Sequence, residues 1–220
     1  MKYITFYTDS HENMVNEYFL PSFNKYKLEE DSVYVIKGEQ YGSNGTYFDK
    51  ELYKIMGDKI KSINKFMSEK ISNGEVFCYL DCDIVFLNNP TKLLKDMPDS
   101  VDLMAQNDTG SHGNTICGGF MFIRKTNDSI IFFNKIERET YGFIHDQECI
   151  NHYKNEIKYS FFNHNKVFNI VNLTGAKPYN KSMGNILNGI NKNDIYVFHA
   201  NWIVGSEDKI NFMKEMIINK

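Results

Sequence analysis

Apolar and polar positions along the chain follow two rhythms, and the switches between them mark the elements. Tyr3-Ile4-Thr5-Phe6-Tyr7 is short, aromatic and β-branched, which predicts a strand, and Asp9-Ser10 follow where a strand hands over to a helix N-terminus. A helix is predicted from Glu12 to Tyr26, a second strand from Ser32 to Ile36, and a loop over the Gly-, Ser- and Asn-rich stretch from Glu39 to Thr46. From Lys59 to Ser72 the apolar residues Ile60, Ile63, Phe66, Met67 and Ile71 recur at helical spacing, and Gly74 is a stop signal.

The segment from Glu75 to Leu87 breaks the pattern in an informative way. It reads as one buried strand, Val76-Phe77-Cys78-Tyr79-Leu80 and then Ile84-Val85-Phe86-Leu87, interrupted by Asp81-Cys82-Asp83. Asn88-Asn89-Pro90 turns the chain into a short helix. Strands follow over Val101–Ala105 and Gly118–Arg124, helices over Ser129–Glu139 and Asp146–Tyr153, a late strand over Ile195–His199, and an amphipathic closing helix over Glu207–Asn219. Strands that alternate with helices predict an α/β fold, a largely parallel sheet with helices on both faces and ligands at the carboxyl ends of the strands. No linker-like stretch divides the 220 residues, so residues 1–220 are expected to form a single domain.

Composition changes this picture mainly by exclusion. A hydrophobic content of 42% supplies a core, and a net charge of -3 with scattered lysines argues against a nucleic-acid partner. No apolar run approaches the roughly 20 residues of a membrane span, and the N-terminus lacks a secretory apolar region. Cys78, Cys82, Cys117 and Cys149 show no paired metal-ligand spacing, which predicts reduced thiols and a cytoplasmic protein. No P-loop, nucleophile elbow or His-Glu-x-x-His helix is present.

Two carboxylates one residue apart in an apolar strand need compensation, because burying unpaired charge is costly. A hard divalent cation, Mn2+ or Mg2+, supplies it, with Asp81 and Asp83 as ligands and diphosphate oxygens on the remaining positions. The competing reading is a pair of surface acids in a strand-end turn. Removing the charge at Asp83 is expected to leave stability equal or higher, because like charges are then no longer adjacent.

In this setting the segment resembles the Asp-x-Asp signature of nucleotide-diphospho-sugar transferases with the GT-A (Rossmann-like) fold, the glycogenin-like and related retaining families. Three further segments follow in the family's order. Cys117-Gly118-Gly119-Phe120 is similar to the Asn-Ser-Gly-Phe strand, with Cys117-Gly118 replacing the polar pair. His145-Asp146-Gln147 resembles the Asp-Gln helix start, although Asp146 also suits a helix cap. His199-Ala200-Asn201, Gly205 and Lys209 resemble the C-terminal His-x-Asn…Gly…Lys element, although a histidine in an apolar strand is also an ordinary core residue.

The resemblance implies a transferase that moves a sugar from a nucleoside diphosphate sugar, a UDP-sugar being the expected donor, to a glycan, protein or small-molecule acceptor. It implies metal ligation by Asp81, Asp83 and His199, and contact of Asp146 and Gln147 with the sugar. Donor contacts fall on Thr8, Asp9, Asp81, Gly118, Gly205 and Lys209 and on one basic residue before the Asp-x-Asp strand, Lys59, with Lys61 and Lys65 as alternatives. Two other classes remain open at this level: a sugar-nucleotide-binding scaffold that no longer turns over, and a haloacid-dehalogenase-like phosphohydrolase, whose Asp-x-Asp normally lies on the first strand.

Overall fold

The computed structural model describes residues 1–41, 51–143 and 145–218. Among the described residues there are nine strands: β1 (Lys2–Tyr7), β2 (Ser32–Lys37), β3 (Val76–Asp81), β4 (Ile84–Phe86), β5 (Leu103–Asn107), β6 (Ile116–Arg124), β7 (Tyr159–Phe161), β8 (Val167–Phe168) and β9 (Val197–His199). The α-helices are α1 (Glu12–Met14), α2 (Leu20–Tyr26), α3 (Leu52–Lys70), α4 (Asn127–Glu139), α5 (Asp146–Tyr153), α6 (Val171–Thr174) and α7 (Ser206–Ile218). A π-wound turn, Val15–Phe19, joins α1 to α2 in one helical run.

The main sheet has six strands in the order β2-β1-β3-β6-β5-β7. Neighbours β2-β1, β1-β3 and β5-β7 are parallel, and β6 runs against both β3 and β5. The sheet is therefore mixed and mostly parallel, as expected. Phe6 pairs with Asp81 and Asn107 with Ile116, so the carboxyl ends of β1, β3 and β5 and the start of β6 share one edge. α3, α4 and α5 pack one face through Ile60, Ile63, Phe133 and Ile150; Phe19 and Phe23 from the first helical run pack the other.

Several boundaries differ from the sequence expectation. The 75–87 segment is not one strand. At Cys82-Asp83 the chain bends out of the main sheet, and β4 enters a second sheet, β4-β9-β8, where Ile84 pairs with His199. Both halves are buried, so hydrophobicity runs through a break it does not reveal. α3 begins at Leu52 and not Lys59, because Leu52 and Ile55 extend its apolar stripe. Val101 and Asp102 of the 101–105 segment fall outside β5, and β7, β8 and α6 are too short to show a period. The predicted loop from Glu39 is described only to Tyr41, the rest lying outside the described residues, as does Asn219 at the end of the closing helix.

Candidate active site

The shared edge gathers charge into two linked ion-pair groups. In the inner one, Lys59 Nζ lies 3.0 Å from Asp81 Oδ1 and 2.8 Å from Asp146 Oδ2. The ammonium also sits 4.9 Å from the centroid of the Tyr79 ring, whose hydroxyl donates to Asp81 Oδ1 at 2.7 Å. Burial works against the Lys59 charge, but Asp146 and Asp81 more than offset it and hold the ammonium above its ordinary pKa. Lys61 and Lys65 are exposed, so of the basic candidates only Lys59 enters the cluster. In the structure Lys59 lies within the buried Leu52, Ile55, Ile63 and Phe66 stripe of α3.

In the outer group, Asp83 is 5% exposed and both its oxygens are engaged. Oδ1 lies 3.1 Å from His199 Nε2, and Oδ2 accepts from Lys209 Nζ at 2.5 Å. Burial alone raises a carboxylate pKa, but Lys209 and His199 reverse the effect and hold Asp83 well below its ordinary value. The same contact holds the half-buried Lys209 ammonium above its ordinary value against desolvation. The expected gain from removing the Asp83 charge rested on repulsion from Asp81; in the structure Lys209 and His199 flank that carboxylate instead, so neutralising it is expected to cost stability.

His199 Nδ1 lies 2.7 Å from Gln106 Oε1, and Gln106 Nε2 donates to Val167 O at 3.4 Å. A register shift in β5 between Ala105 and Gln106 aims this amide: Ala105 pairs with Met121 but Gln106 with Cys117, so Gly118, Gly119 and Phe120 are passed over. Little room is left for a side chain there. A Cβ on Gly119 would stand 2.5 Å from Asp81 Oδ2 and overlap the His199 ring, and one on Gly118 would stand 3.1 Å from Asp146 Oδ2.

Asp146 is 3% exposed and is the first residue of α5; the residue at the cap position is His145, and the Asp146 carboxylate is committed to Lys59. The helix-cap reading of Asp146 therefore fails. Gln147 accepts from Gly118 N at 3.2 Å and donates to Asp108 Oδ2 at 3.0 Å. Asp108 is a residue that sequence reasoning missed. It also accepts from Asn201 Nδ2 at 2.8 Å and from the Trp202 indole at its backbone oxygen, 2.9 Å away. Trp202 adopts a positive φ of 64°, a strained conformation for a bulky residue.

Thr8 and Asp9 lie at the end of β1 on the same edge but outside this cluster. Thr8 is buried beside Ser10, and Asp9 pairs with Lys37 at 2.8 Å. His11 is closer in charge terms, its pKa lowered by burial and by Lys209 against the pull of Asp83 and Asp81. Gly205, at φ 92°, sets the turn that begins α7, and a Cβ there would meet nothing within 4 Å. All four cysteines are free and buried, and Cys117 Sγ lies 3.8 Å from His199 Nδ1.

One donor atom each from Asp81, Asp83 and His199 lie within 4.8 Å of one another, a spacing that a single cation spans. Two hard carboxylates and an imidazole suit Mn2+ or Mg2+ with positions left for phosphate oxygens. The ring orientation fits as well: Gln106 Oε1 takes the Nδ1 proton, which leaves Nε2, the nitrogen that faces Asp83, to bear either a proton that Asp83 accepts or a cation in its place. Among the described residues, no helix is long and apolar enough to cross a membrane.

Residues 23–213 match the nucleotide-diphospho-sugar transferase family. Sequence comparison with curated proteins gives no match. Among solved structures, the glycosyltransferase GlyE of Streptococcus pneumoniae TIGR4 is similar at a TM-score of 0.66 and 12% identity, over 99% of this chain and 60% of that one. This chain thus spans 60% of the length of GlyE. A glycosyltransferase involved in glycosylation of the major capsid of PBCV-1 is similar at 0.62 and 11% identity, over 98% of this chain and 97% of that one. The galactosyltransferase LgtC, in complex with donor and acceptor sugar analogues, is similar at 0.54 and 12% identity, over 98% and 95%. These likenesses establish the GT-A fold. Because the family match takes in the whole run of chain from Lys59 to Lys209 that builds the cluster, this chain belongs to the nucleotide-diphospho-sugar transferase family.

Proposed function

We propose that the protein transfers a glycosyl group from a nucleoside diphosphate sugar, a UDP-sugar by preference, to an acceptor hydroxyl with retention of anomeric configuration. The observation that carries this reading is the convergence of Asp81, Asp83 and His199 beside Lys209, at the sheet edge where Gly118, Asp146 and Gln147 also meet. Asp81, Asp83 and His199 would hold Mn2+ or Mg2+. Such a cation, when bound, supplies Lewis-acid stabilisation of the charge that grows on the leaving diphosphate.

The protein's own groups have distinct tasks in this scheme. Lys209 neutralises a phosphate oxygen from the first turns of α7, and the open backbone at Gly205 admits the diphosphate to it. Thr8 and Asp9 meet the nucleoside at the end of β1. Gln147 is held on one side by Gly118 N and on the other by Asp108, which orients its amide toward the sugar. Asp146, held in place by Lys59, presents its carboxylate to a carbon that becomes oxocarbenium-like. The free buried thiols are consistent with a reducing, cytoplasmic setting.

The test is a thermal-shift screen against UDP-, GDP-, ADP- and CMP-linked compounds, each with and without Mn2+, followed by an assay for donor turnover. Stabilisation that needs one nucleotide and the metal together, with release of free nucleotide, supports the proposal. Metal-dependent affinity without turnover points instead to a binding-only protein, and a flat panel refutes nucleotide-sugar binding.

A further inference from the structure

We propose that Lys209 restricts the site to a cation that arrives with a diphosphate, by standing in for that cation on Asp83 until the diphosphate draws it away. The inference rests on the function proposed above and adds a specificity device to it. Both Asp83 oxygens are engaged: Oδ1 faces His199 Nε2 at 3.1 Å, where a cation would be shared with the imidazole, and Oδ2 of the same carboxylate holds the Lys209 ammonium at 2.5 Å. A divalent cation on this carboxylate would stand within a few ångströms of the ammonium. Like charges that close, in a site where the Asp83 side chain is 8% exposed, repel strongly. One of them has to leave.

The two lysines of the site differ in their freedom to do so. Lys59 is 6% exposed and bridges Asp81 and Asp146, with the Tyr79 ring beside it. Lys209 is 23% exposed and sits near the start of α7, just after Val204, Gly205, Ser206 and Glu207, all of them exposed. It has a route outward. A bare cation that displaces it leaves the ammonium without an anion, so binding of the cation alone is penalised. A cation bound to a diphosphate brings phosphate oxygens that replace Asp83 as the partner of Lys209, and the penalty vanishes. Cation and diphosphate are then coupled through one side chain, over and above their direct contact, and the coupling is reciprocal.

The sign of the effect separates this idea from a lysine that merely binds phosphate. Binding of MnCl2 is measured by calorimetry and by the loss of the free-ion paramagnetic signal, with and without UDP, for wild type, Lys209→Gln, Lys209→Met and Lys209→Arg. Lys209→Gln keeps a hydrogen bond to Asp83, so the buried carboxylate stays partnered if the methionine variant fails to fold. Both neutral variants are expected to bind Mn2+ alone about tenfold more tightly than wild type, yet Mn2+ with UDP about tenfold more weakly, with Lys209→Arg near wild type on Mn2+ alone. Neutral variants that bind Mn2+ alone no more tightly, while wild type still binds Mn2+ with UDP, overturn this inference and leave the transferase reading standing. Absence of Mn2+ binding in every protein, with or without UDP, GDP or ADP, overturns both.

Discussion

His199 Nδ1 and Gln106 Oε1, 93 residues apart in sequence, meet at 2.7 Å in the interior of the protein. Because the Gln106 amide nitrogen is turned to Val167 O, its oxygen takes the proton on Nδ1, and the nitrogen that faces Asp83 is Nε2. Outer partners of this kind fix ring orientation and ligand basicity. Gln106→Leu is expected to weaken binding of Mn2+ in the presence of UDP by about tenfold or more, by calorimetry. Unchanged affinity would mean that the ring is held by packing alone.

Lys59 pairs with a carboxylate, Asp146, that is as buried as itself. Lys59→Met leaves that carboxylate uncompensated and is expected to cost about 3–5 kcal/mol in urea unfolding. Lys61→Met and Lys65→Met, on the exposed face of α3, are expected to stay within about 0.5 kcal/mol of wild type. Equal effects at the three positions would remove Lys59 from the site.

Asp83 has a folded pKa well below its ordinary value, set against burial by Lys209 and His199. Its contribution is therefore complete above the unfolded value, about 3.9, and is lost as pH falls through the folded value. Asp83→Asn is expected to be less stable than wild type at pH 7 by about 2 kcal/mol. The two stability curves should converge as the pH is lowered below about 4, since only the wild type has that proton to take up. Parallel curves in acid denaturation would show that Asp83 is not the titrating group.

Asp108 ties the single tryptophan to Gln147. With Asp108→Ala, the indole loses the carboxylate 3.2 Å from its nitrogen and Trp202 is free to relax from its positive φ. The fluorescence of the protein is expected to shift to the red, and donor turnover to fall by roughly 10- to 100-fold, with Mn2+ and UDP affinity near wild type. A blue-shifted or unchanged spectrum would contradict the link.

Much of this was legible in the chain itself. The alternation of 2-residue and 3.6-residue periods predicted the α/β layering, because burial of one face of each element is a local property. Asp81 and Asp83 stood out because two carboxylates inside an apolar strand demand a partner, and His199 and Lys209 because their segment resembles the family's His-x-Asn…Gly…Lys element.

What the sequence left open depended on which strands lie side by side. Hydrophobicity runs without interruption through Ile84-Val85-Phe86-Leu87, so only strand pairing revealed that β4 leaves the main sheet and carries its neighbours to β9. The choice of Lys59 over Lys61 and Lys65 depended on the rotation of α3 against β3. The roles of Gln106 and Asp108 arise from strand register and from the irregular pairing of β5 with β6. A sequence thus determines which residues must be buried and which charges must be compensated, because both are properties of short segments. Which lysine compensates which acid, and which amide orients the histidine, was decided by tertiary structure, because those contacts join residues brought together only when the sheets assemble.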